Sequence, residues 1–331
     1  MNKLYHLLVL WLLGGVLHAQ QDPMFTNYHF NSLVFNPAYA GANEHLTANL
    51  MHRQQWVGFD GAPVTQTFTV HSPLKTPRVG VGFSLVHDQI GPTGAFDLAA
   101  SYAYRMLIGK KKNLKLAIGM QASLMNWHTD ILEINLEHAG DPSFQENYSR
   151  WMPNFGVGAH LSGSRFYAAI GCPRLVENDL RKPSEGQVGL NAKTFRHFYT
   201  ALGAILPVNG DQVMFRPSML LKSVGLGSSF RTDDAFKNIG SPTALNLDAA
   251  FFLRQTYWLG ITFRTAVQAQ KSSSDSIDFW AAWCMRNGFR LGAAYDLTLS
   301  KFQNAGRNSF ELMMGYEFDI KVKKVASPRY F

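Results

Sequence analysis

Three features of the sequence together predict an all-β protein: a transmembrane, antiparallel, up-and-down β-barrel of about 14 strands, of the outer-membrane type. One segment after another alternates apolar with polar or small residues at period 2. An N-terminal leader of secretory character is followed by no apolar run long enough for a membrane-spanning helix. The breaks between alternating segments are short and long in turn along the whole chain.

The leader carries Lys3, an apolar stretch over 4–16, and Leu17-His18-Ala19 ahead of Gln20. It reads as a signal peptide over 1–19, removed on export. Only Cys172 and Cys284 follow it, too few for a disulfide scaffold, and they read as two unpaired, buried thiols. The net charge is +8, but the basic residues are dispersed and the densest cluster, Lys110-Lys111-Lys112, falls in a tight turn. With no nucleic-acid-binding motif beside them, these charges are assigned to solvated turns and tail, and no nucleic-acid partner is expected.

The strands are read in order. Over 46–56, Leu46, Ala48 and Leu50 oppose Thr47, Asn49 and Arg53. Over 64–71, Val64, Phe68 and Val70 alternate with Thr65, Thr67 and Thr69. Over 79–87, Val79, Val81, Phe83 and Leu85 share a face opposite Gly80, Gly82 and Ser84. The clearest dyad lies over 96–106, where Phe96, Leu98, Ala100, Tyr102 and Tyr104 face away from Asp97, Ser101, Ala103 and Arg105. Segment 114–124 repeats it, with Leu116, Ile118 and Met120 against Ala117, Gly119 and Gln121. The remaining strands are expected over 154–162, 166–172, 198–206, 213–222, 244–253, 257–264, 277–285, 289–297 and 310–320. Gly156, Gly158, Gly203, Gly260, Gly292 and Gly315 keep one face of these strands small.

Sidedness follows from the breaks. Those near 72–78, 107–113, 163–165, 207–212, 254–256 and 286–288 are short and read as periplasmic turns. The other set, near 57–63, 88–94, 125–153, 173–197, 223–242, 265–276 and 298–308, contains the long polar stretches and reads as extracellular. A soluble β-sandwich also alternates, but it explains neither the leader nor this asymmetry. Aromatics near strand ends (Trp56, Trp127, Trp151, Trp258, Trp280, Trp283, with Tyr102 and Tyr104) fit interfacial girdles. The divisions are therefore a leader 1–19, a periplasmic or lumen-inserted segment 20–43, a barrel 44–322 and a periplasmic tail 323–331.

Signals for catalysis are weak. Gly156-Val157-Gly158 and Gly225-Leu226-Gly227 lack the strand–turn–helix setting of a phosphate loop, and no nucleophile elbow is present. His128, Asp130, Glu133, Glu137, His138 and Asp141 share a loop without metal-ligand spacing. No catalytic, cofactor or metal site is assigned. Within strands, Arg53, Asp97, Arg105, His160, Asp248, Arg264, Asp296 and Glu311 are expected to face the lumen, because charge on the lipid face is costly toward the midplane. There they are read as interior salt bridges that fill or stiffen the barrel; the alternative is that they line the pore of a porin-like solute channel.

The most distinctive stretch runs from Gln21 to Pro63. It carries Gln21-Asp22-Pro23 with Tyr28 and Phe30-Asn31, then Asn36-Pro37-Ala38-Tyr39-Ala40-Gly41, Arg53-Gln54-Gln55-Trp56-Val57-Gly58 and Gly61-Ala62-Pro63. In these residues the chain resembles the PorP/SprF family of type IX secretion and gliding-motility outer-membrane proteins. Cys172-Pro173-Arg174-Leu175, Arg290-Leu291-Gly292 with Ala294-Tyr295-Asp296, and the terminal Ser327-Pro328-Arg329-Tyr330-Phe331 extend the resemblance along the mature chain. Asn308-Ser309-Phe310-Glu311 departs from it, lacking a His immediately before the Glu. The resemblance implies a non-enzymatic barrel in outer-membrane lipid. It implies that the barrel assists secretion and surface attachment of type IX cargo, such as an adhesin C-terminal domain, and meets periplasmic type IX machinery. Asn36 to Gly41, Trp56, Gly58, Gly61, Ala62 and Pro63 are its motif residues, and they are read as holding architecture, with Pro37 limiting the backbone and Gly41 permitting a turn.

Overall fold

Strands with two unlike faces need two environments, and closing the sheet into a barrel supplies both while removing its edges. The computed structural model describes residues 22–43, 45–109, 114–130, 132, 147–180, 194–210, 212–224, 243–267, 273–299 and 308–318. Outside them lie the leader, the lysine turn, loop residues 133–146, the glycine pair at 225–227, most of the long connections 173–197 and 223–242, and the tail from 319.

The strands are β1 (Leu46–Gln54), β2 (Val64–Pro73), β3 (Val79–Ile90), β4 (Thr93–Ile108), β5 (Leu114–Thr129), β6 (Tyr148–Ser162), β7 (Phe166–Cys172), β8 (His197–Ala204), β9 (Leu206–Asn209), β10 (Val213–Val224), β11 (Thr243–Leu253), β12 (Tyr257–Val267), β13 (Ser273–Cys284), β14 (Phe289–Thr298) and β15 (Ser309–Phe318). All pairings are antiparallel, and β1 joins β15 from Leu46↔Phe318 to Gln54↔Phe310, which closes the ring. β8 and β9 meet β10 in one register, Gly203 opposite Ser218 and Leu206 opposite Phe215. They are two pieces of one stave interrupted at Ile205, so the closed barrel has 14 staves.

Each strand expected from alternation is present, but several run further than expected. Asp88 pairs with Ala95 and Ile90 with Thr93, so the connection placed at 88–94 is the two-residue turn Gly91-Pro92. Thr129 pairs with Tyr148, which shortens the 125–153 connection to 130–147. Beyond the apolar band an outward polar residue meets water at no penalty. The ladder therefore continues through Asn126, His128 and Ser149, where alternation fades.

The alternation sorts side chains between outside and lumen. On β5, Ile118 and Met120 stand outward at 53% and 61% exposure, while Ala117 and Gln121 are buried. Phe155, Trp151 and Trp283 are likewise exposed outward. Trp258 and Trp280 correct the girdle expectation: they are 8% and 3% exposed and point into the lumen. Their even-numbered positions share the inward register of Thr262 and Asp278. Neither cysteine forms a disulfide; Cys172 is buried and Cys284 only half-buried.

Residues 22–43 cross the interior as three one-turn 3₁₀ helices: η1 (Tyr28–Phe30), η2 (Ser32–Val34) and η3 (Pro37–Tyr39). Phe25, Tyr28, Phe30 and Phe35 pack with Tyr199, Met214, Phe252, Trp258, Trp280 and Met313 in one buried cluster. The core of this barrel is thus the interface between its own N-terminal segment and the inner wall.

Candidate functional site

The inner wall is unlike on its two sides. β1 and β10–β15 present charged residues, including Arg53, Arg216, Asp248, Arg264, Asp296 and Glu311, all buried. β2–β7 present hydroxyls and small residues such as Thr67, Ser84, Ser101, Ala103 and Ala117. Segment 22–43 is held mainly by polar side chains on the first wall and by close approach on the second, where Thr67, His71 and Arg105 add hydrogen bonds.

On the charged wall, Arg53 donates to Asp296 at 2.5 Å and lies 3.5 Å from Glu311, while Arg264 reaches Asp278 at 3.0 Å and Asp296 at 3.5 Å. Glu311 turns its two oxygens to the segment and accepts the main-chain N–H of Thr26 at 2.9 Å and of Asn27 at 2.8 Å. The Thr26 hydroxyl donates to Asp296 at 2.9 Å and accepts from Arg53 at 3.1 Å. One threonine therefore joins an acid and a base of the wall. Next along, Tyr28 donates to Ser218 at 3.2 Å and His29 Nε2 lies 3.1 Å from Asp248. Burial and the nearby Arg216 push the His29 pKa down to about 4, against the pull of Asp248. The imidazole is therefore neutral at pH 7, and it donates a hydrogen bond to Asp248 rather than forming an ion pair. Arg216 stacks over Phe252 at 5.0 Å and over Trp258 and Trp280 at 5.8 and 5.9 Å, and Trp280 Nε1 donates to Asp248 at 2.8 Å.

On the small-residue wall the main chain of the segment fills the space a side chain would take. A Cβ on Gly80, Gly119, Gly158 or Gly171 would overlap, respectively, the Ala40 carbonyl, the Ala38 amide, the Asn36 side-chain oxygen or the Phe35 carbonyl. Asn36 caps η3, accepting from the Ala38 N–H at 2.9 Å, and donates to the Ala159 carbonyl at 3.1 Å. Pro37 occupies the first helical position, where no N–H is needed. Tyr39 meets His71 and His160 edge-on at 5.4 and 5.9 Å. Arg105 donates to the Ala40 carbonyl. Gly41, at φ +65°, sits so close to Ser72 and Gly80 that no side chain fits.

The segment runs end to end. Ala40 and Gly41 lie at the short-turn end, beside Ser72, Gly80 and Arg105. Asp22 lies at the long-connection end. There Arg174 bridges Asp22 and Asp97, Tyr199 donates to Asp22 at 2.9 Å, and Lys222 donates to the Asp22 carbonyl at 2.8 Å. Burial alone would raise the Asp22 pKa, but Arg174, His197 and Lys222 hold its carboxyl well below the usual range. A cleft beside this clamp is lined by Met24, Phe35, Val86, Gln121, Leu220 and Asn246.

The motif residues read from the sequence are thus divided between the two ends of β1. Asn36 to Gly41 sit inside the short-turn end. Trp56, Gly58, Gly61, Ala62 and Pro63 form the β1–β2 turn at the other end, with positive φ at Trp56, Gly58 and Gly61. The Trp56 N–H donates to Ser309 at 3.2 Å, and Gly61 accepts from Gly91 at 2.9 Å. The in-strand charges do turn inward. The contacts from Thr26, Asn27 and His29, the Arg174 bridge, and the inward Arg216, Lys222 and Asp278 were not anticipated. Arg216, Lys222 and Asp278 carried the same signal as Arg53, a charge at an inward strand position.

Among the described residues no group of three or more His, Cys, Asp or Glu is placed to hold a metal ion. The buried acids and bases found here are opposed to one another or to the segment, an arrangement that clamps. A family model described as "Type IX secretion system membrane protein PorP/SprF" matches residues 17–316. The chain belongs to the PorP/SprF family. It is an outer-membrane protein of type IX secretion. No curated protein matches it. Among solved structures it is similar to the Ralstonia pickettii toluene transporter TbuX, at 10% identity over 85% of this chain and 91% of that one, with a TM-score of 0.51. It is also similar to a Pseudomonas aeruginosa FadL homologue, at 14% identity over 92% and 96% of the two chains, with a TM-score of 0.48. At such identity the likeness concerns the barrel fold alone.

Proposed function

We propose that this PorP/SprF-family barrel is a non-enzymatic platform, assisting secretion and cell-surface attachment of particular type IX cargo such as an adhesin C-terminal domain. The observation that carries the reading is the occupied lumen. Residues 22–43 run through the interior from one end to the other, hydrogen-bonded to β1, β2, β4, β6, β8, β10, β11, β14 and β15. A barrel closed on itself in this way works through its rims. The strand ends that carry connections 130–147, 173–196 and 225–242 share one end of the barrel, the end assigned to the cell exterior, where cargo would meet it. The short turns and the tail 323–331 face periplasmic machinery, and the leader 1–19 directs export. Asn36 to Gly41 and the Trp56-to-Pro63 turn hold the architecture, while selection of cargo belongs to the long connections.

The test is affinity capture of the tagged protein from outer membranes, wild type against variants shortened in each long connection. An adhesin C-terminal domain should co-purify with wild type and be lost in at least one shortened variant that still folds. Absence of any type IX cargo, or capture indifferent to all three deletions, would overturn the reading.

A further inference from the structure

The two halves of the lumen segment are held by different means. Residues 35–41 are seated by main chain against Gly80, Gly119 and Gly171 and by the Asn36 side chain against Gly158, and they lead toward β1. Residues 22–31 are held by packing of Phe25, Tyr28 and Phe30 against the wall and by hydrogen bonds to its side chains, and water can replace the hydrogen bonds. That half is also imperfectly satisfied. Neither polar atom of the Asn27 side-chain amide has a protein partner, nor has Asn31 Oδ1 or the Asn246 Nδ2 that lines the adjoining cleft. Buried polar atoms without partners raise the free energy of the closed arrangement, and hydration would relieve them.

The far end of this half is fastened by one strand irregularity. Val157 pairs with Cys172, a register that would set Arg174 opposite Phe155, yet the Phe155 carbonyl accepts from Leu175. One extra residue has been inserted, and a bulge of this kind re-aims side chains. Pro173 and Arg174 are thrown inward: the Pro173 carbonyl accepts from Gln121 at 3.0 Å, and Arg174 reaches Asp22 on the segment and Asp97 on β4. Immediately beyond, Asn154 bonds the main chain of Val176 in both directions, which ties the bulge to the connection between β7 and β8. Beside the fastening, a small cleft of about 50 Å³ lies between the segment and the wall.

We propose that residues 22–34 form a displaceable stopper, that Arg174 is its latch, and that the barrel conducts small hydrophilic solutes when the latch opens while 35–41 stay seated as the hinge. A 14-stave barrel is wider than its own side chains can fill, so withdrawal leaves a water path. The path is lined by Arg53, Arg264, Asp278 and Asp296 on one side and by Thr67 and Ser101 on the other. Because Arg174 belongs to the β7–β8 connection, a partner that moves that connection would release the stopper.

Single-channel recording of the full-length protein in planar bilayers tests this, in a C172A/C284A background. Wild type should open rarely; R174Q and D22N should each raise open probability tenfold or more. The pair N31C/T67C, built where Asn31 donates to Thr67 at 3.1 Å, should silence R174Q when oxidised and restore its openings on reduction. Heat-modifiable gel mobility identifies folded variants; if R174Q does not fold, D22N carries the measurement. If neither folds, the oxidised and reduced N31C/T67C pair in the otherwise wild-type barrel must differ in opening rate under voltage. Folded latch variants as quiet as wild type, or openings indifferent to the oxidised lock, would overturn the proposal. Cargo capture is a separate readout, so the two readings fail independently.

Discussion

The side-chain oxygen of Asn36 occupies the volume that a Cβ on Gly158 would need. Asn36 lies in the lumen segment and Gly158 on β6, so the absence of one side chain on the wall is what admits another from the interior. At Gly119 the main-chain amide of Ala38 takes the corresponding space. Gly260 shows the alternative use of a small residue, lying under the Trp280 ring from the neighbouring strand.

Gly158→Ala should therefore lower stability by about 1–3 kcal/mol, the usual penalty for overpacking. The loss should shrink in an Asn36→Ala background, because the clashing atom is gone. Urea unfolding in detergent, arranged as a double-mutant cycle, reads the coupling; equal losses in both backgrounds would contradict the contact.

Arg53 neutralises two buried acids, Asp296 and Glu311, which also hold Thr26 and Asn27. Arg53→Met leaves Glu311 without its cation and Asp296 facing only Arg264, and should cost about 3–5 kcal/mol. Adding Asp296→Asn removes one of them and should recover part of the loss. Denaturation midpoints of the single and double variants check the sign.

Tryptophans divide by face. Trp151 and Trp283 are exposed outward, whereas Trp258 and Trp280 are buried against the lumen segment. In vesicles of brominated lipid, single-tryptophan variants retaining Trp151 or Trp283 should be quenched, and those retaining Trp258 or Trp280 should not. Quenching of Trp280 by lipid would reverse the inward register assigned to β13.

His29 faces Asp248 from β11, Arg216 from β10 and the Trp280 ring from β13. Its pKa is about 4 when docked, against 6.5 for a hydrated imidazole. Between those values the docked form binds fewer protons than the released form, so docking weakens as pH falls. The contribution is fully present above pH 6.5 and declines by up to about 3 kcal/mol toward pH 4. Asp22 acts in a different window, its contribution being lost only as pH falls through and below the ordinary carboxylate value of 3.8. Protease protection of residues 22–34 should thus fall between pH 7 and pH 4.5, and His29→Gln should flatten that dependence.

Strand number, antiparallel order, the grouping of connections by end and the inward placement of Arg53, Asp248, Arg264, Asp296 and Glu311 were all determined by the sequence alone. Period-2 alternation is a local record of which face meets lipid and which does not, and a charge cannot be moved to the lipid face without penalty. The same local record could not locate Trp258 and Trp280, because an aromatic is at home both in a membrane interface and against a packed interior. Only the tertiary structure decided what fills the lumen. Asn36 and Gly158, Thr26 and Glu311, and Arg174 and Asp22 are far apart in the chain, and each pair meets only once the ring has closed. Stretch 21–63 first reads as one motif of turns and a strand; its described residues, from Asp22, are a strap through the barrel, a strand of its wall and a turn at its far rim. The sequence already separated the strand and the outward turn from residues 20–43 but left those as periplasmic or lumen-inserted, and only closure of the ring around them decides between the two.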